Sequence, residues 1–147
     1  MAFVAEAWID IDVPPEVAFD ALADHSRWKE WMPRSFAVAS RADSPHHLGK
    51  RFAMKVAGMP VASSIEVTAL DRPRTLTWSG GQRGVLRGEH EFRFASDGKG
   101  GTRVHSHETW SGALAPLLRP FVKRAAEKIG REQLEGLARA CAATTRR

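Results

Sequence analysis

The 147-residue sequence contains one cysteine, Cys141, and no long apolar run. A single cysteine cannot form an intramolecular disulfide, and without a cysteine cluster there is no zinc-finger spacing. No window approaches the about 18 consecutive apolar residues that a membrane-spanning helix needs. The N-terminal segment also lacks the basic and apolar regions of a signal peptide. We therefore expect a cytoplasmic protein without membrane insertion.

The sequence also lacks internal repeats, low-complexity segments and an obvious linker. A chain of this length buries about two-thirds of its unfolded surface, which is enough to fold without disulfides or metal. We expect one domain that spans residues 1–147.

Positive charge is not concentrated in one part of the sequence, although the net charge is +5. Lysine and arginine are spread along the chain and alternate with acidic residues in the C-terminal segment. Proteins that bind nucleic acids specifically present a clustered basic face. Only the C-terminal tail and the group Arg72, Arg74, Arg83 and Arg87 are locally basic. We therefore expect solvated surface charge and no specific nucleic-acid partner.

The N-terminal part predicts a strand followed by two short helices. Apolar and polar residues alternate over residues 3–13, with the period of two that is typical of a strand. The Pro14-Pro15 pair ends this strand, because proline lacks the amide donor that a sheet needs, and Pro15 fits the first turn of a helix. Helical spacing then covers residues 16–23 and 25–32.

Further along, the pattern predicts a series of strands separated by turn residues. These strands comprise residues 36–41, 50–57, 61–70, 75–79, 86–95 and 102–111. The last two form a long hairpin around the turn at residues 97–101, whose glycines accept positive φ.

The C-terminal segment, residues 110–142, carries the longest helical pattern, with apolar residues three and four apart. The apolar stripe comprises Leu114, Leu117, Leu118, Phe121, Val122, Ala125 and Ile129, and continues through Gln133, Leu137 and Cys141. A sheet with one apolar face needs a cover, and this helix is the only predicted element of sufficient size. The predicted fold class is α+β: a curved antiparallel sheet of about six to seven strands wrapped around a long C-terminal helix, with two short helices after the first strand.

Two blocks of the sequence resemble the START-like, or SRPBCC, superfamily, in its polyketide cyclase/dehydrase and lipid-transport group. The first block is IDVPPEVAFDALAD at residues 11–24, followed by RWKEWMP at residues 27–33. The second is RGEHEFRF at residues 87–94, with GTRV at 101–104 and HETWSG at 107–112, and is similar to the last hairpin and helix entry of small bacterial members. The resemblance implies the helix-grip fold. These are fold motifs and not catalytic signatures, since the members share a cavity rather than a chemistry.

Pairing within the last hairpin brings a histidine and a glutamate together on the inner face. The opposed pairs are Phe94 with Val104, Phe92 with Ser106, His90 with Glu108, and Gly88 with Trp110. Burying a lone carboxylate is costly, so we expect Glu108 to pair with His90. Such a pair either satisfies itself or serves as a general acid and base toward a ligand, and the residues leave both interpretations open.

The resemblance implies a cavity between the sheet and the C-terminal helix, without a built-in cofactor. The expected ligand-binding residues are Trp28, Trp31, Met54, Leu76, Trp78, His90, Phe92, Glu108, Trp110, Leu117, Phe121, Ala125 and Ile129. Aromatic residues line small-molecule pockets but also fill ordinary cores, and both interpretations stay open for Trp28 and Trp31. The His46-His47 pair lacks a third ligand at a fixed spacing, so we expect no metal site.

Three functions are compatible with these features. The first is the binding or carrying of a small hydrophobic or aromatic molecule in the cavity. The second is a polyketide cyclase/dehydratase-like enzyme that uses His90 and Glu108 as its catalytic acid and base. The third is a protein-interaction module of the chaperone-activator type, with a functional outer surface and a closed core. An outward-facing Trp8 is compatible with a monomer or a weak homodimer.

Overall fold

The chain forms an antiparallel sheet that packs against one long helix. The structure, a computed structural model, describes residues 2–33, 36–38, 46–56 and 63–145. Its elements are β1 (Phe3–Ile11), α1 (Pro15–Ala23), α2 (Trp28–Trp31), β2 (Phe36–Val38), β3 (Arg51–Val56), β4 (Ser63–Asp71), β5 (Thr75–Gln82), β6 (Leu86–Ser96), β7 (Thr102–Ser111) and α3 (Ala115–Thr145). The strands follow the order β1-β7-β6-β5-β4-β3-β2. The predicted helix-grip fold is therefore confirmed.

Some element boundaries differ from the predicted ones. The long helix begins at Ala115 and not at residue 110, because Trp110 still pairs with β6 and Gly112 then turns the chain with a φ of 114°. The second short helix begins as a 3-10 turn, His25–Arg27, before α2. The predicted strand ends at residues 39–41, 57 and 61–62 lie outside the described residues.

The turn between β6 and β7 is held by one carboxylate. Asp97 accepts hydrogen bonds from the backbone N–H groups of Lys99, at 2.7 Å, and Gly101, at 2.9 Å. Gly98 and Gly100 adopt φ angles of 77° and 89°, which only glycine reaches without strain. This turn fixes the strand register, so the four predicted cross-strand pairs are all present.

α3 contacts the sheet at Gly130 and α2 at Gly136, and only the second contact requires a glycine. A Cβ at Gly130 would lie 3.6 Å from Ser106 Oγ and 3.9 Å from Ala7 Cβ. A Cβ at Gly136 would lie 2.4 Å from the backbone oxygen of Trp31. These two contacts decide which face of the helix points inward.

The solvent side of α3 carries charged side chains as well as the exposed Leu117 and Phe121. Lys123 and Lys128 form ion pairs with Glu127, at 4.0 Å, and Glu132, at 3.9 Å. Within the part of the chain that the structure describes, no helix has the length and apolarity needed to cross a membrane.

Candidate functional site

The β6–β7 hairpin places the candidate acid/base residues on the inner face of the sheet. His90 lies opposite Glu108, and Glu108 also pairs with the buried Ala5 of β1. His90 is buried, whereas Glu108 and Trp110 are half-buried. The side chains on the inner face of β7 therefore change from buried at Ser106 to partly accessible to solvent at Glu108 and Trp110.

The hydrogen bond expected between His90 and Glu108 is not formed. His90 Nε2 instead shares a hydrogen bond of 2.6 Å with Ser106 Oγ. The imidazole also stacks on Phe92, at a centroid distance of 4.1 Å, and Phe92 lies opposite Ser106. Burial lowers the pKa of His90 to about 3. The ring is therefore neutral at physiological pH and is satisfied by a neutral partner.

Glu108 is an acidic side chain in an apolar environment. Burial raises the pKa of Glu108 to about 7, and the nearby indole of Trp110 partly opposes that rise. Among the described residues, Glu108 takes part in no ion pair, which agrees with burial as the main cause of its raised pKa. A carboxyl group with this pKa can either donate or accept a proton near neutrality.

Trp110 lies flat over Gly88, its partner on β6. A Cβ at Gly88 would lie 3.1 Å from the Trp110 ring, so glycine makes room for the indole on the inner face. The Trp110 indole N–H is buried and makes no hydrogen bond of good geometry with the residues that the structure describes. It is thus a second polar group that faces the interior, two residues along β7 from Glu108.

Five of the expected ligand-binding residues belong to the packed core. They are Trp28, Met54, Leu76, Trp78 and Phe92, each with 4% or less of its surface exposed. The Trp28 ring lies 5.3 Å from that of Trp78, and its indole N–H donates to the backbone oxygen of Leu22 at 2.8 Å. These side chains form the closed end of the interior, while Trp31 is half-buried beside α3.

The closed end also contains a histidine pair that the sequence does not reveal. His46 is buried, with its ring 5.0 Å from His25 and 4.8 Å from Trp28. Burial lowers the pKa of His46 to about 3, and His25 adds to this effect. The described residues contain no group of three or more side chains arranged to hold a metal ion.

Leu117, Phe121 and Ala125 were expected to line the interior between the sheet and the helix. This expectation is wrong, because the three side chains do not face the sheet. Leu117 is 72% exposed, Phe121 is 74% exposed, and Ala125 is also exposed. At 100° per residue, Phe121 points about 180° away from Gly130, which contacts the sheet. Ile129, the fourth helix residue expected at the site, does pack against the core.

Gln133 is a buried residue at the site that the sequence-based list of candidates omits. It is 2% exposed, and neither its amide oxygen nor its amide nitrogen has a hydrogen-bond partner among the described residues. A polar residue within the apolar stripe of α3 was the available signal. Ser106, the partner of His90, was placed on the inner face but not recognised as a hydrogen-bond partner.

Two shallow depressions lie elsewhere on the molecule. One, of about 240 Å³, is on the solvent side of α3 and is lined by Arg119, Pro120, Lys123, Arg124 and Glu127. The other, of about 150 Å³, is lined by residues of β6 and β7 that alternate with His90 and Glu108 and so lie on the other face of the sheet. Neither brings the candidate residues together.

Comparison of the sequence with known families gives one match over nearly the whole chain. Residues 2–142 match the family described as polyketide cyclase/dehydrase and lipid transport. The chain belongs to this family. The family resemblance in the sequence is thereby confirmed, and Glu108, Trp110 and Gln133 all lie within the matched region. Comparison with curated proteins finds no match.

Solved structures of this fold include proteins from bacteria and a plant. The hypothetical protein jhp0584 of Helicobacter pylori has a TM-score of 0.75 at 18% identity, with 92% of this chain and 86% of that chain covered. The Zhui aromatase/cyclase of Streptomyces sp. R1128 has a TM-score of 0.70 at 13% identity, with 99% and 96% covered. Norcoclaurine synthase of Thalictrum flavum, solved with dopamine and hydroxybenzaldehyde, has a TM-score of 0.68 at 9% identity, with 99% and 87% covered. At these identities the likeness shows a shared fold.

Proposed function

We propose that this polyketide cyclase/dehydrase family member binds a small, mainly aromatic or apolar molecule between the inner face of the sheet and α3. The site lies at the half-buried end of β7, beside Glu108 and Trp110. The observation that carries the proposal is the Glu108 carboxyl group, which faces an apolar interior and has a pKa raised to about 7 by burial. Keeping such a group there is costly for folding, and a ligand that hydrogen-bonds to it offsets that cost.

Apolar side chains on the α2 and α3 side of the interior support the same proposal. Several of them are half-buried and so retain accessible surface, namely Trp31 of α2, Met32 just after it, and Leu118, Val122 and Ile129 of α3. Small-molecule sites commonly combine apolar walls with a few polar groups that orient the ligand. Two structural neighbours are consistent with an aromatic ligand, since one is named an aromatase/cyclase and another was solved with dopamine and hydroxybenzaldehyde.

The experiment titrates 2-naphthol, an aromatic ring system with one hydroxyl, into the wild type and E108Q by calorimetry above about pH 7, where Glu108 is charged. A charge-assisted hydrogen bond exceeds a neutral one by roughly 1.4 kcal/mol, so E108Q should bind about 10-fold more weakly. The matched control is E89Q, which neutralises an exposed glutamate on β6 and should bind like the wild type. Absence of binding by the wild type, or equal affinity of E108Q, contradicts the proposal.

The enzyme hypothesis is the second candidate, and the pKa of Glu108 favours it. A general acid or base works best when its pKa lies near the operating pH, and the pKa of Glu108 is about 7. His90 has a different role in this scheme, because its pKa of about 3 keeps it neutral and its Nε2 is engaged by Ser106. Turnover of a polyketide-like substrate that survives E108Q with binding retained would contradict this hypothesis.

The protein-interaction hypothesis has one feature in its favour. Leu117 and Phe121 on α3, and Leu114 just before it, are large apolar side chains exposed to solvent. Contiguous exposed apolar surface is typical of interaction sites. This hypothesis stays a prediction. It differs from the other two because E108Q should leave binding of a partner protein unchanged, whereas L117S should weaken it.

A further inference from the structure

Gln133 presents an unpaired primary amide inside the protein. The residue is 2% exposed, and both its Nε2 and its Oε1 lack hydrogen-bond partners in the part of the chain that the structure describes. The amide offers two donors and an acceptor. Buried polar groups are nearly always hydrogen-bonded, so an amide with neither end paired indicates a missing partner.

The two glycine contacts of α3 define the direction in which Gln133 points. Gly130 faces Ser106 on β7, and Gly136 faces Trp31 on α2. Gln133 is three residues from each, and at 100° per residue its side chain bisects the angle of about 120° between them. The amide therefore points into the interior between β7 and α2.

The inner face of β7 that α3 meets carries further polar groups. The backbone of α3 lies against Ser106 at Gly130 and against Trp31 at Gly136. Ser106 is occupied by His90, and Glu108 follows it two residues along β7 on the same face. The interior is thus lined by polar groups on two walls, with Gln133 on the helix wall.

We propose that Gln133 is the recognition residue of the helix wall: its amide hydrogen-bonds a hydroxyl or carbonyl oxygen of the ligand. The site then selects apolar molecules that carry such an oxygen over hydrocarbons of the same shape. This inference rests on the proposed function, because it concerns the same interior site. It adds a residue, and a requirement on the ligand, that the Glu108 carboxyl group alone does not supply.

The test compares two probes, 2-naphthol and naphthalene, by equilibrium dialysis with the wild type, Q133L and Q82L. One neutral hydrogen bond to a buried group changes affinity roughly 10-fold. The wild type should prefer 2-naphthol, and Q133L should lose about 10-fold of that preference while binding naphthalene at least as well. Q82L is the matched control, because Gln82 is exposed at the end of β5, and it should keep the wild-type preference.

The outcomes separate this inference from the proposed function. A wild-type preference that Q133L retains overturns the role of Gln133 but leaves the interior site in place. Failure of the wild type to bind either probe overturns the proposed function itself. Thermal unfolding without ligand gives an independent check: Q133L should melt at or above the wild-type temperature, since it removes an unpaired amide. A clear fall in melting temperature for Q133L, absent in Q82L, would assign the amide a structural role and overturn the inference.

Discussion

His90 and Glu108 lie directly opposite each other on β6 and β7, yet the His90 imidazole hydrogen-bonds to Ser106 and not to the Glu108 carboxyl group. Burial moves the two pKa values apart, lowering that of His90 to about 3 and raising that of Glu108 to about 7. Between these two values both side chains are predominantly uncharged. Above about pH 3, this pair therefore gains a charge only when Glu108 loses its proton near neutrality.

The first prediction concerns the pH dependence of stability. The folded-state pKa of Glu108, about 7, exceeds its ordinary value of 4.5, so the unfolded chain releases this proton at lower pH. The wild type should lose stability as pH rises through this interval, by up to roughly 3 kcal/mol, and E108Q should lack this loss. Urea denaturation of both proteins below and above the interval measures it.

The informative quantity in that experiment is the difference between the two proteins. His90 and His46 have folded-state pKa values of about 3, below the ordinary 6.5, so they contribute stability that is lost as pH falls from about 6.5. The two histidines therefore make stability change with pH in the opposite direction to Glu108. Their contribution is the same in the wild type and in E108Q, so it cancels when the two stabilities are subtracted. Parallel pH profiles for the wild type and E108Q would show that burial does not shift the pKa of Glu108.

The second prediction concerns the hydrogen bond between His90 and Ser106. Replacing Ser106 with alanine, S106A, leaves a buried imidazole nitrogen without its partner, which should lower the free energy of unfolding by about 1–3 kcal/mol. S64A removes an exposed hydroxyl from β4 and should change it by about 0.5 kcal/mol or less. Chemical denaturation at neutral pH compares the two. A cost for S106A no larger than that for S64A contradicts the assigned bond.

The third prediction uses the two glycines of α3. A Cβ at Gly136 would lie 2.4 Å from the Trp31 backbone oxygen, so G136A should destabilise the protein or prevent folding. A Cβ at Gly130 would meet its neighbours at 3.6 Å or more. G130A should therefore be tolerated and gain up to about 1 kcal/mol of helix propensity. Thermal melts of the pair test the geometry, and equal effects would mean that α3 does not pack as described.

The fourth prediction concerns the orientation of α3. L117S and F121S should change the free energy of unfolding by about 0.5 kcal/mol or less, because both side chains are more than 70% exposed. L137A, which truncates a side chain that is 1% exposed, should cost about 2–5 kcal/mol. Urea denaturation ranks the variants. A cost for F121S comparable to that of L137A would place Phe121 against the sheet.

Local patterns were sufficient to predict the register of the β6–β7 hairpin but not the rotation of α3. Alternating residues and the glycine-rich turn at Asp97 determine which residues pair across the hairpin, so His90 and Glu108 were correctly opposed. The helix rotation depends on contacts with distant parts of the chain, at Gly130 and Gly136. A hydrophobic stripe that includes both Phe121 and Leu137 does not contain that information.

The chemistry of the site was predictable only in part. An acid on an apolar face was evident from the alternation in β7, which identified Glu108. Its expected partner was wrong, because the orientation of the His90 ring, which stacks on Phe92 and hydrogen-bonds to Ser106, depends on side-chain packing that the strand pattern does not specify. Gln133 was interpreted as a continuation of the apolar stripe of the helix, since a buried and unpaired amide is recognised only once its surroundings are known.

The most direct test of the account is an NMR titration of the glutamate side-chain carboxyl carbons, with and without 2-naphthol. One signal should titrate near pH 7, should be missing in E108Q, and should shift to a lower midpoint when the 2-naphthol hydroxyl donates a hydrogen bond to the charged carboxylate. If every glutamate titrates near its ordinary pKa of 4.5, or if the Glu108 midpoint does not respond to 2-naphthol, the proposed interior binding site is contradicted.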